Sequence, residues 1–111
     1  MKLFLKDIAY ARSGDKGRNS NVGLIFKNKI IYDWAKINIT TELLKKHLEY
    51  IVKGDIHRYE LDNLNALNFV LYDSLGGGGS DSLLNDAQGK THGQKTLLLE
   101  IDFPNEFKEY L

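Results

Sequence analysis

The sequence predicts an α+β fold of βαββαβ order, with an additional strand at its N-terminus. Three observations lead there. Residues 40–53 carry apolar side chains at helical spacing between a threonine and a glycine. Residues 66–73 alternate in the manner of a strand, Leu67, Phe69 and Leu71 on one side, Asn68, Val70 and Tyr72 on the other. Short apolar runs at 3–10, 20–27, 55–62 and 96–103 supply the remaining strands.

Taken in order, residues 3–10 alternate loosely and form the additional strand. Residues 20–27 place Val22, Leu24 and Phe26 on one face of the next. Asn28 to Asn38 suits either state: Ile30, Ile31, Trp34 and Ile37 fit a helical stripe, while the β-branched content fits a strand, and the helix is the expectation. Thr40 or Thr41 caps the 40–53 helix, Glu42 lies in its first turn, and Lys53 and Gly54 end it. Its apolar face is Leu44, Leu48, Ile51 and Val52, with His47 on the flank as a structural side chain. Residues 55–62 and 66–73 form a hairpin joined at Asn63-Leu64-Asn65. A second helix spans Ser82 to Gln94, weakened by Gly89 and Gly93. Thr96 to Phe103 is the last strand, with Leu97, Leu99, Ile101 and Phe103 aligned and Pro104 stopping it. Two helices over one face of such a sheet make a ferredoxin-like sandwich, which hosts many functions, so function has to be argued from sites.

Length and composition narrow the classes. At 111 residues the chain is a single domain, 1–111, large enough for a core of its own. Its 42% apolar and 11% aromatic content is that of a globular protein. Lys plus Arg equals Asp plus Glu at 15 each, so no global field draws in nucleic acid or an anionic membrane. Neutrality also lowers the barrier to self-association, and a homo-oligomer is expected. With no cysteine, disulfides and thiolate chemistry are excluded. No basic N-terminal region precedes a long apolar stretch, and no run approaches the roughly 18 residues of a spanning helix, so a cytoplasmic protein is expected.

Two glycine-rich segments carry the candidate site. Arg12-Ser13-Gly14-Asp15-Lys16-Gly17 packs two cations and a carboxylate between apolar runs. Such a segment suits a solvated turn, or a binding loop whose N–H groups face an anion. The second begins Leu75-Gly76-Gly77-Gly78-Gly79 and ends Asp86-Ala87-Gln88-Gly89-Lys90-Thr91. Gly76 to Ser80 resembles a flexible linker, but too few residues follow it for a second core. Gly89-Lys90-Thr91 is not a P-loop, because Leu84 stands where that motif needs glycine. Asp86 and Lys90 also fit a surface i,i+4 pair, and Asn68 interrupts an apolar strand. His47, His57 and His92 lack metal-ligand spacing, and Ser13, Ser80 and Ser82 lack a visible basic partner. The residues call for no cofactor and show no self-contained catalytic constellation, so a non-catalytic subunit is the expectation. The candidate ligand-binding set is Arg12, Ser13, Gly14, Asp15, Lys16, Gly17, Asn68, Gly76, Gly77, Gly78, Asp86 and Lys90.

These segments, with Arg58-Tyr59-Glu60-Leu61 and Ala66-Leu67-Asn68-Phe69-Val70-Leu71, occur in the order found in one family. The chain resembles the C-terminal domain of the acyclic terpene utilisation protein AtuA from about Leu3 to Phe103. The resemblance implies a ferredoxin-like fold. It also implies a link to catabolism of branched terpenoid acids as coenzyme A thioesters. In longer members the domain follows a large α/β core that this sequence lacks, which points to a separate core polypeptide as partner. Two readings follow: an accessory subunit contributing to a shared site for an anionic ligand (carboxylate, phosphate or acyl-CoA), or a purely structural, oligomerising module without a ligand site.

Overall fold

A computed structural model describes residues 1–16, 19–49, 52–72 and 92–111. Strands β1 (Lys2–Phe4), β2 (Ala9–Lys16) and β3 (Asn19–Phe26) come first, then helices α1 (Lys29–Asn38) and α2 (Thr41–His47). Strands β4 (Ile56–Leu61) and β5 (Ala66–Leu71), a helical stretch at residues 92–97 (α3) and strand β6 (Glu100–Asp102) follow. A 3-10 helix, Asn105–Tyr110, ends the chain.

The main sheet is antiparallel in the order β2-β3-β5-β4, and β1 pairs with β6 in a separate two-stranded ribbon. The fold class is α+β and ferredoxin-like, as the sequence predicts. Two local arrangements differ from expectation. The predicted strand 3–10 is two strands, because a turn intervenes at Leu5–Asp7: the Asp7 carboxylate accepts the Phe4 N–H at 2.9 Å, and Ile8 N–H bonds Leu5 C=O. The expected last strand, 96–103, shrinks to Glu100–Asp102, because residues through Leu97 are helical. The edge position beside β3 is taken by β2 instead. Only residues 17 and 18 separate β2 from β3, so an eight-residue ladder closes at far lower entropy cost than pairing with a three-residue strand near the C-terminus.

Alternation along β3 sets the layers. Ser20, Val22, Leu24 and Phe26 are buried, while Asn21, Gly23 and Ile25 face the other way. Leu67, Phe69 and Leu71 of β5 and Ile56 of β4 extend the inner face. Helix α1 lays Ile31, Tyr32 and Ala35 on it, capped by Asn28, whose side chain accepts the Ile31 N–H at 3.0 Å. The helical reading of 28–38 is correct, but its stripe is rotated: Ile31 is buried, whereas Ile37 is 78% exposed and Ile30 40%.

Helix α2 starts on Thr40, whose hydroxyl accepts the Leu43 N–H at 3.2 Å. It ends at His47, earlier than predicted. Beyond it Val52 N–H still bonds Leu48 C=O, and Lys45 Nζ donates to the carbonyls of Val52 and Gly54. Leu44, Leu48 and Val52 are buried as predicted; Ile51 lies outside the described residues. His47 Nε2 donates to Lys95 C=O at 2.7 Å, tying α2 to α3, so its role is structural. The ribbon's Ile101 and Phe103 join the same core, the Phe103 ring standing 5.0 Å from Trp34.

Gly54 packs its backbone on Tyr72, with its N–H bonded to Tyr72 C=O at 3.0 Å, and a Cβ there would lie 2.6 Å from that carbonyl oxygen. Backbone cannot yield as a side-chain tip can. We therefore expect Gly54→Ala to destabilise the protein by about 1–3 kcal/mol, read as a lower urea midpoint at unchanged slope. An unchanged midpoint would show that this contact is loose.

Candidate functional site

The structure sorts the candidate residues between the two faces of β2. Arg12 to Lys16 do not form a loop: they complete β2, with Arg12 opposite Gly23, Ser13 opposite Val22, Gly14 opposite Asn21, Asp15 opposite Ser20 and Lys16 opposite Asn19. The charge-rich composition suggests a turn, but pairing with β3 extends the strand to within two residues of the reversal. Gly17, Gly76, Gly77, Gly78, Asp86 and Lys90 lie outside the described residues, as does residues 82–91 of the predicted second helix.

On the face of the sheet turned away from the buried layer, which no described helix covers, Arg12, Gly14 and Asn68 come together. Gly23 lies between Arg12 on β2 and Asn68 on β5 in the register, and the Asn21 amide donates to Asn68 Oδ1 at 3.2 Å. Neither Gly14 nor Gly23 projects a side chain, so the amide pair and Arg12 border a shallow floor of backbone. Tyr59 stands directly opposite Asn68 on β4, and Tyr10 precedes Arg12 by two positions on β2. These tyrosines are 49% and 68% exposed. Among the described strand positions of this face no carboxylate occurs, and Arg12 is exposed without an ion pair. The Asn21–Asn68 bond uses one donor and one acceptor, leaving an amide –NH2 on one residue and a carbonyl on the other for a ligand. A guanidinium, an amide donor and two phenol rings can hold an anionic head group and cover its apolar neighbour.

Ser13 points the other way. It meets Gly93 of α3 so closely that a Cβ on Gly93 would lie 2.7 Å from Ser13 Oγ. Sequence reasoning took Gly93 as a weakness of the helix; the glycine is what admits α3 to the sheet. Ser13 and Gly93 meet beside a recess of about 230 Å³ lined by Ala11, Gln94 and Leu97 as well; the second glycine-rich segment, residues 75–91, lies outside the described residues.

Two further residues were underrated in sequence. His92 is buried, and its Nδ1 shares a hydrogen bond with Ser20 Oγ at 3.2 Å. Burial, reinforced by nearby Lys95, holds its pKa below the ordinary histidine value. Arg58 reaches across the inner layer and donates to Lys36 C=O at 2.8 Å and Ile39 C=O at 3.0 Å, satisfying the C-terminal carbonyls of α1. Its other arm donates to Glu60 at 3.0 Å. The only sequence signal for this role was the alternation that sends Arg58 to the helix-covered face and Tyr59 to the open one.

Nearby, buried Tyr32 donates its hydroxyl to Asp62 at 2.6 Å, with Lys36 Nζ also on that carboxylate at 3.3 Å. Burial and the Asp62 partner push the phenol pKa up, and the Tyr32 hydroxyl, then Lys36, hold Asp62 below the usual carboxylate range. This cluster locks α1 to the β4–β5 turn. Among the described residues no group of His, Asp and Glu could hold a metal.

The family model that matches is the AtuA ferredoxin-like domain, over residues 3–102. The chain belongs to that family. Comparison with curated proteins and with solved structures gives no match. As an AtuA ferredoxin-like domain, the chain holds two of its resemblance segments, at Arg58 and at Ala66 to Leu71, in the adjacent strands β4 and β5. A third, beginning at Arg12, is the far end of β2.

His92 generates a pH prediction. The unfolded chain protonates near the ordinary value of about 6.5, above the folded value, so it takes up the proton first as pH falls. Stability should be level above about pH 7, decline as pH drops through the unfolded value, and stop declining on this account below the folded one. Urea unfolding of wild type and His92→Gln from about pH 8 to 5 tests it: the difference between the two should narrow toward acid. A pH-independent difference would refute the buried neutral imidazole.

Proposed function

We propose that this AtuA ferredoxin-like domain is a non-catalytic accessory module. It docks through the open face of its sheet on an AtuA-like core and contributes Arg12 and Asn68 to a site for an anionic group. A carboxylate, a phosphate or the coenzyme A end of a thioester fits that chemistry. Family membership supports a place in the cytoplasmic catabolism of branched terpenoid acids.

One observation carries this reading. The open face gathers an unpaired arginine, an amide pair and two exposed tyrosines, with no carboxylate among its described strand positions. A face kept merely soluble mixes both signs of charge. Here the single sign favours an anionic ligand, and exposed tyrosines are typical of surfaces that become buried. The structural reading without a ligand site draws its support from a different surface, the outer row of α1.

The test is calorimetric titration with coenzyme A and with a short branched carboxylate, in wild type and Arg12→Ala. Loss of a charged donor costs about 1.5–3 kcal/mol, so binding should weaken roughly tenfold to a hundredfold. Stability should stay within about 0.5 kcal/mol, because Arg12 is exposed. Equal binding by both proteins would remove Arg12 from the site and leave the structural reading in its place.

A further inference from the structure

The register of the open face sets four chemical groups in one row across the sheet. Tyr59 on β4 stands opposite Asn68 on β5, Asn68 opposite Gly23 on β3, and Gly23 opposite Arg12 on β2. A phenol ring, an amide, bare backbone and a guanidinium thus follow one another at the strand spacing of about 4.8 Å. Asn68 and Arg12 lie about 10 Å apart across Gly23, and Tyr59 stands one spacing further out. A lone carboxylate or phosphate engages only one end of such a row.

Gly23 is the member that its own neighbours do not account for. A Cβ on Gly14 would lie 3.2 Å from Asn21 Oδ1, so that glycine is what seats the amide pair. A Cβ on Gly23 would meet Arg12 C=O at 3.6 Å and Asn68 Oδ1 at 3.7 Å, ordinary contacts that leave room for a side chain. Glycine inside a strand weakens it, and one that packing does not require marks the close approach of a ligand. The groups on either side are uncommitted as well. His57 and Tyr72 meet edge to face at 4.9 Å, whereas the exposed Tyr59 ring has no partner among the described residues. Asn68 accepts the Asn21 amide and keeps its own –NH2 and a second lone pair.

We propose that this row binds an adenine nucleotide. The base stacks on Tyr59 and sets its amine and a ring nitrogen against the Asn68 amide, the pairing that asparagine makes with adenine. The ribose crosses the bare backbone of Gly23, and the Arg12 fork takes the 5′-phosphates. An extended nucleoside diphosphate, measured from base edge to terminal phosphate, matches the separation of Asn68 from Arg12. The inference rests on the reading of the open face as an anion site and adds what the anion carries. With one ring and no opposing wall the row is shallow, so dissociation at about 0.1–1 mM is expected.

Titration of the full chain with ADP, followed by amide chemical shifts in NMR, tests it. ADP should move the signals of residues 12, 23, 59 and 68, while adenosine and inorganic pyrophosphate should each bind at least tenfold more weakly. Tyr59→Leu, at an exposed position, should keep the wild-type spectrum elsewhere and weaken ADP about tenfold. Gly23→Val should keep or raise the urea midpoint and lose ADP by a similar factor. Equal binding of ADP by wild type and both variants overturns the proposal. Equal binding of GDP overturns the reading of adenine by Asn68, and an adenosine oligoribonucleotide held far more tightly than ADP makes the face one for single-stranded RNA instead. A branched carboxylate that binds through Arg12 where ADP does not leaves the anion site standing and removes the nucleotide.

Discussion

The constraint on which the molecule depends is the alternation of β3. As a central strand it pairs with β2 on one side and β5 on the other, so its phase decides the phase of both. Val22, Leu24 and Phe26 turned inward bring Phe69 and Leu67 into the same layer and send Asn21, Gly23, Arg12 and Asn68 outward. A slip of one residue would bury Asn21 and expose Leu24, and every cross-strand pair in both ladders would invert. The polar end of the inward row, Ser20, is where His92 completes the layer with a hydrogen bond instead of an apolar contact. Core and candidate site are therefore two sides of one ladder.

What was legible in the sequence follows from the range over which each signal acts. Helix α2 has a side-chain cap at Thr40, and the strands β3 and β5 have clean period-two patterns; all three are local signals and all three appear, whereas the Asn28 cap of α1 went unread. The turn at Leu5–Asp7 was not legible, because Asp7 acts through a bond to the Phe4 backbone, which composition does not reveal. The end of the chain misled for a related reason. Leu97, Leu99, Ile101 and Phe103 alternate like a strand, yet Leu97 closes a helix, and Thr96 donates its hydroxyl to His92 C=O within it at 2.7 Å. The topology decides such cases, and the proximity of β2 to β3 decided the topology.

The candidate site was legible by residue type but not by side. Arg12 and Ser13 are neighbours in sequence and part company in space, one bordering the open face and the other pressed on Gly93. The same division runs through Arg58 and Tyr59. Arg58 satisfies two carbonyls at the end of α1, a role in which removal would leave charged-group hydrogen bonds unmade, while Tyr59 stands exposed beside Asn68. A motif can hold a structural residue next to a surface one because strand geometry assigns alternate positions to different environments. Reading such a motif as a single functional unit mixes fold with function.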